Sequence, residues 1–216
     1  MGIETVDAYL DGGFSKLEGW CSIQKAKKMA RIVAAIQSES PLCVELGVWG
    51  GRSLFAMALA LKHCLGKGRA DGIDPYAADA SLEGTHTGGN NEWWATVDYE
   101  KTLKGVQDAI DQLSLRSYVN IIRKRSQDVS STYKKETIDV LHQDSNHSEE
   151  ISTTEVALYA SKVRRGGYWV FDDINWDNNG VPTTLRAQKM LLTRGFTKIE
   201  EYTETGNNAW AIFQKP

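Results

Sequence analysis

Cysteine is scarce in this chain, with three in 216 residues: Cys21, Cys43 and Cys64. They are widely spaced and show no metal-ligand pattern. The odd count points to reduced thiols in a reducing compartment, with Cys43 and Cys64 reading as small buried hydrophobes. Long apolar runs are missing too, and none approaches the roughly 20 residues that span a bilayer. The N-terminus carries Glu4 and Asp7 and lacks the apolar segment of a secretory signal, so a cytoplasmic location is expected. Neither sign of charge dominates. The 25 Lys and Arg against 28 Asp and Glu give a formal net charge of -3, which offers no electrostatic reason for a nucleic acid or membrane partner. There is no internal repeat and no low-complexity segment. What remains has the size and composition of one soluble α/β domain with a well-buried core.

What is present is concentrated in Leu42 to Ser53. A short apolar run, Leu42-Cys43-Val44, reaches Glu45 and Leu46. Gly47, Gly50 and Gly51 follow, and then the helical pattern Leu54 to Leu65. This is a strand, a tight glycine-rich turn and a helix start, a geometry that lets a nucleotide-like ligand approach the backbone. The spacing G-x-x-G-G is not the dinucleotide fingerprint G-x-G-x-x-G. Glu45 at the strand end would repel a pyrophosphate, and it suits a cationic group such as an amino acid's ammonium. Asp74 closes the next strand, where it can accept hydrogen bonds from a ribose diol. An amino group plus a ribose without phosphates points to S-adenosylmethionine.

Apolar spacing alternates between two periods along the chain. Ile23, Ala26, Ala30, Val33 and Ile36 share a helical face, with Ser22 as N-cap. Strand Leu42–Leu46 leads to helix 53–65, ended by Gly66. Short strands follow at 72–74, 118–122, 138–142 and 168–171. Helices are expected at 99–113, 149–163 and 182–193. The tail, 197–202 and 209–213, reads as a hairpin turning at Thr205-Gly206-Asn207-Asn208. The pattern predicts a Rossmann-like, mostly parallel, seven-stranded α/β sheet with an antiparallel C-terminal hairpin and helices on both faces. In such sheets the ligand sits beyond the carboxyl ends of the strands, and the notable residues all fall there.

From Gly19 onward the chain resembles a class I S-adenosylmethionine-dependent methyltransferase. Glu45, Gly47 and Gly50 match that family's first motif, with Ser53 just beyond, and Asp74 matches its ribose-binding acid. Arg125-Ser126-Gln127-Asp128 resembles the Ser-Gln-Asp turn of catechol O-methyltransferase, whose Ser and Gln contact the adenine. The resemblance therefore implies one methyltransferase domain over residues 1–216, with a helical cap region at 1–40. It implies cofactor contacts from Glu45, Gly47, Gly50, Ser53, Asp74, Ser126 and Gln127.

Strand 138–142 runs on into Gln143-Asp144-Ser145-Asn146-His147-Ser148-Glu149, and strand 168–171 into Asp172-Asp173. An isolated Asp-Asp pair reads as a cap and a solvated acid. Asp144 at the neighbouring strand end changes that reading, because three converging carboxylates repel one another unless a cation neutralises them. Oxygen ligation suits Mg²⁺, or Mn²⁺ or Ca²⁺. The metal-dependent O-methyltransferases carry acids at these strand ends, which Asp144, Asp172 and Asp173 match in turn. The run from Asp144 to Glu149 resembles a motif of methyltransferases acting on sugars and natural products. Where catechol-type enzymes have a lysine, this chain has His147. Where macrolide-type sugar enzymes have a second Asp, it has Asn146.

An unactivated hydroxyl must lose its proton as it attacks the sulfonium methyl. His147 is the candidate base, with helix capping or a hydrogen bond to Asp144 as its structural alternative, and Asp144 is the acid beside it. His142 reads as packed within its strand. Residues 75–97 form a connection long enough for a substrate lid. The lid carries Trp93-Trp94, one of which is expected to plug the core, while Trp20 and Trp176 border the pocket. The expected acceptor is a small molecule bearing a hydroxyl, on a sugar or natural product, and a homodimer is compatible with the sequence. Two other readings are a cephalosporin-hydroxylase-like enzyme of the same fold and a non-catalytic S-adenosylmethionine- or nucleotide-binding module.

Overall fold

A computed structural model describes residues 2–205 and 208–216. Helices α1 (Ile3–Gly12) and α2 (Ile23–Ala34) precede strand β1 (Leu42–Leu46). Helix α3 (Arg52–Ala60) widens into a π turn, Leu61–Leu65, and stops at Gly66, whose left-handed φ of 65° ends it as expected. Strand β2 (Arg69–Ile73), helices α4 (Ala78–Ser81), α5 (Gly88–Ala95) and α6 (Tyr99–Gln112), and strand β3 (Val119–Ile122) follow. The chain continues through α7 (Ser126–Val129), β4 (Ile138–Gln143), α8 (Glu149–Tyr159) and β5 (Val163–Phe171). A short hairpin, β6 (Asp177–Asn178) and β7 (Val181–Pro182), then α9 (Leu185–Thr193), β8 (Thr197–Thr203) and β9 (Ala209–Gln214), complete it.

Seven strands form one sheet in the order β3-β2-β1-β4-β5-β9-β8. All are parallel except β9, which runs against both β5 and β8. The predicted sheet is therefore present, with β9 as its single reversed strand. Side chains alternate across the pleat. Cys43, Val140, Val170 and Ile212 face a core with α1, α2, α3 and α6. Val44, Leu141, Trp169 and Phe213 face a second core with α8 and α9. Helices thus cover both faces, which is why the strands read as near-continuous apolar runs. No helix among the described residues is long and apolar enough to cross a membrane.

Several boundaries differ from the sequence reading. Gly166-Gly167 lies inside β5 rather than before it. The strand begins at Val163, and the register slips between Ile138↔Val163 and Val140↔Tyr168. Gly166, at φ 73°, provides the left-handed residue of this irregularity. Helix 182–193 starts later, at Leu185, because Val181-Pro182 pairs with 177–178. Residues 75–97 are not irregular throughout, since they hold α4 and α5. The turn expected at 205–208 lies partly outside the described residues.

Candidate functional site

The switch in strand order falls between β1 and β4, and beyond their carboxyl ends opens a cavity of about 440 Å³. Its floor is the β1 turn. Gly47 has φ 84°, and a Cβ there would lie 2.1 Å from the Asp144 carbonyl oxygen. Gly50 is closed off by the N-terminal segment instead, its Cβ position lying 2.4 Å from the Glu18 carbonyl oxygen. The two glycines therefore answer to chain packing. Gly47→Ala is expected to cost about 2 kcal/mol or more, lowering Tm by roughly 4–8 °C or more in a chain of this size. Scanning calorimetry showing an unchanged Tm would mean that the end of β4 retreats freely.

Asp74 lines the cavity and braces this turn. Its Oδ2 accepts the backbone N–H groups of Val48 (2.9 Å) and Trp49 (3.0 Å), and its Oδ1 accepts that of Tyr76 (2.7 Å). Burial pushes its carboxyl up, and the three backbone donors oppose that. Among the described residues, three of the six non-glycine residues at positive φ, namely Trp49, Tyr76 and Asp173, sit at these strand ends. Strained backbone of this kind tends to collect at functional sites.

Glu45 does not face the cavity. It is fully buried, and its oxygens accept the Ser53 hydroxyl (2.9 Å) and His142 Nδ1–H (3.1 Å). This corrects the expectation of a direct cofactor contact, because both oxygens are turned into the protein beneath the turn. Gly50 likewise does not line the cavity, whereas Gly47, Ser53, Ser126 and Gln127 do. Ser126 donates to buried Glu155 at 2.6 Å, which also accepts Ser145 Oγ–H (2.7 Å) and Gln143 Nε2–H (2.9 Å). Glu155 was not anticipated. Its only signal is the i, i+4 spacing with Ile151 and Tyr159, which places it on the buried face of α8.

The three acids converge as the strand order requires. His142 is fully buried, and because Glu45 only accepts, Nδ1 carries the hydrogen between them. Its Nε2 is buried without a hydrogen-bond partner. It lies 3.8 Å from Asp172 Oδ2 and 4.0 Å from Asp144 Oδ2. Asp172 Oδ1 caps the Asp173 N–H at 3.0 Å, while its Oδ2 is ion-paired with Lys25 from α2. Lys25 is buried, and sequence reasoning missed it. Burial would raise the Asp172 carboxyl, but the Lys25 ammonium outweighs this and holds it below the usual carboxylate range. Asp144 moves the other way. Burial and the neighbouring Asp172 push its carboxyl well up.

Asp173 is turned to His147, with Oδ2 2.9 Å from Nε2. Burial presses the His147 imidazole down, yet the Asp173 carboxylate more than offsets it and the net shift is upward. The ring rests 4.7 Å from the Trp176 ring, and its backbone carbonyl accepts the Thr183 hydroxyl at 2.6 Å. Ser148, not His147, caps α8. Two groups of donor atoms lie within 4.8 Å of one another: His142, Asp144 and Asp172, and Asp144, His147 and Asp173.

The segment 75–97 is fastened from both sides. Asn146 Nδ2 donates to the carbonyls of Ala80 (3.2 Å), Ser81 (3.3 Å) and Glu83 (2.7 Å), and Arg125 pairs with Glu83 and with Asp79 (2.7 Å). Trp93 and Trp94 of α5 meet Trp20 and Trp49 in a cluster with ring centroids 4.7 to 6.4 Å apart. Neither Trp93 nor Trp94 plugs the core, a position held by Trp169 and Trp210. Trp20 and Trp176 line the cavity as expected.

A family profile described as a methyltransferase domain matches residues 44–174. No curated protein matches the chain. Among solved structures, the fold is similar to the O-methyltransferase TomG of Streptomyces achromogenes, involved in tomaymycin synthesis and solved with SAM. That likeness has TM-score 0.66 at 15% identity, covering 99% of this chain and 89% of the other. It is also similar to an O-methyltransferase from Bacillus cereus in complex with SAH, with TM-score 0.62 at 14% identity, covering 99% and 90%. A SAM-dependent O-methyltransferase from Thermotoga maritima follows, with TM-score 0.60 at 12% identity, covering 97% and 71%. At such identities the likeness establishes the fold.

Proposed function

Since the chain belongs to the methyltransferase-domain family, we propose that it moves the methyl group of S-adenosylmethionine onto a hydroxyl of a small sugar-bearing or natural-product acceptor, in the cytoplasm. The observation that carries this reading is the His147–Asp173 pair beside Asp144, at the carboxyl ends of β4 and β5. S-adenosylmethionine lies along the β1 turn, with the Asp74 carboxylate at its ribose and Ser126 and Gln127 at its adenine. The acceptor enters beneath the lid against the tryptophan cluster, whose indole faces suit a ring.

His147 takes the proton from the acceptor hydroxyl at Nδ1, while Asp173 holds Nε2 and stabilises the imidazolium that forms. The residues fit a divalent cation as well. His142 Nε2 is a buried lone pair with no partner, aimed at Asp144 and Asp172, and Glu45 fixes its tautomer from behind. Asp144, Asp172 and His142 would hold the ion, with Asp173 engaged first by His147. Mg²⁺ or Mn²⁺ bound there would act as a Lewis acid that eases loss of the hydroxyl proton.

The reading is tested by calorimetric titration with S-adenosylmethionine and by screening S-adenosylhomocysteine release across sugar and phenolic acceptors. Failure to bind S-adenosylmethionine overturns it. Binding without turnover on any acceptor would favour a non-catalytic module. Asp74→Ala is expected to weaken S-adenosylmethionine binding by about 1–3 kcal/mol, the scale of a charge-assisted hydrogen bond plus loss of the turn's brace. An unchanged affinity would remove Asp74 from the cofactor site.

A further inference from the structure

The acid cluster already contains a cation. Lys25 stands in the first turn of α2, its side chain 5% exposed and its ammonium against Asp172 Oδ2. Lysine is almost never buried this far unless paired. Two of the three carboxylates thus have a nitrogen partner within the chain, the Lys25 ammonium for Asp172 and the His147 imidazole for Asp173. Asp144 has none of its own. The unpartnered His142 Nε2 lies 3.8 Å from the Asp172 oxygen that Lys25 holds. The nitrogen donor and the lysine therefore converge on the same oxygen, with the Asp144 carboxylate close by.

We infer that Lys25 is a tethered competitor for the cation position of this cluster, so that a divalent ion binds there only by displacing the Lys25 ammonium from Asp172. The inference rests on the metal reading given above and adds what sets the affinity. An ammonium and a divalent ion both seek the Asp172 oxygen, and at a separation of a few ångström in a buried site they repel strongly. Charge counting agrees. Three carboxylates, Lys25 and a divalent ion sum to zero when both histidines are neutral. Without Lys25 the same set carries one excess negative charge, which favours the ion further. Lys25 thus keeps the site from binding metal too tightly, and it offsets one of the three carboxylate charges before metal arrives.

The test is titration with Mn²⁺, followed by the electron paramagnetic resonance signal of the free ion, on the full chain. Lys25→Met is expected to bind Mn²⁺ at least about tenfold tighter than the wild type, since a like charge has been removed from the site. Lys25→Gln, which keeps a hydrogen bond to Asp172, should shift in the same direction if the methionine variant folds poorly. Lys25→Arg should stay near the wild-type affinity, and adding Asp172→Asn to Lys25→Met should abolish the gain. Equal or weaker Mn²⁺ binding by the neutral variants overturns the inference alone and leaves Lys25 a structural ion pair. No Mn²⁺ binding by any variant, with S-adenosylmethionine still bound by the same samples, overturns the inference and the metal reading together.

Discussion

His147→Ala is expected to lower kcat by roughly 10²–10⁴-fold, the usual contribution of a positioned general base, while affinity for S-adenosylmethionine barely moves. The residue is fixed at three points, two of them on the imidazole. Asp173 binds Nε2 at 2.9 Å, the Trp176 ring lies 4.7 Å away, and the Thr183 hydroxyl holds the backbone at 2.6 Å. Because Ser148 caps α8, truncating the ring leaves the helix start intact. Added imidazole should restore part of the lost rate. Asp173→Asn should reproduce a smaller share of the loss, since it removes the carboxylate that stabilises the imidazolium. A His147→Ala variant that keeps most of its kcat would make His147 a packing residue and send the proton to water.

Stripping divalent ions with excess chelator is expected to take turnover to background, and added Mg²⁺ should restore it. The demand comes from Asp144, whose carboxyl is pushed well up by burial and by the neighbouring Asp172, while Lys25 and His147 pair with the other two acids. A Lewis acid at this position is worth several kcal/mol of transition-state stabilisation, which the ammonium of Lys25 does not replace while it is spent on Asp172. Asp144→Ala should lose activity that Mg²⁺ does not recover. Full turnover in chelator would show instead that Lys25 supplies all the positive charge the reaction needs.

The acids were legible in the sequence because a parallel sheet fixes where strand ends lie. Once β4 and β5 were read as neighbours, Asp144, Asp172 and Asp173 had to meet. The glycine turn and the Ser22 cap were legible for the same local reasons. Lys25 was not. It sits between Ile23 and Ala26 on an amphipathic helix, where a lysine reads as solvated, and only the packing of α2 against α3 and β4, with Asp172 beyond the end of β5, buries it. Glu45 illustrates the converse. Its position at a strand end was read correctly, but strand alternation alone does not reveal whether a buried carboxylate meets a ligand or a histidine on the next strand. The pairing of 177–178 with 181–182 was hidden because a two-residue ladder has no period to detect.

The N-terminal wall of the cavity is fastened to residues far along the chain. Lys25 reaches Asp172 across 147 residues, Lys28 reaches Glu200 across 172, and Ser22 reaches Glu204 across 182. Closing loops of this size is entropically costly and slow. During synthesis, α2 has α1 and α3 to pack on early, but its polar contacts Lys25–Asp172, Lys28–Glu200 and Ser22–Glu204 form only once β5 and then β8 emerge. The sheet around β1, β2 and β4 assembles before its neutralising lysine has anything to hold. A ribosome that stalls before β5 is complete therefore releases a chain with Asp144 made but Asp172 and Asp173 missing. The three carboxylates come together only after β5 has been made.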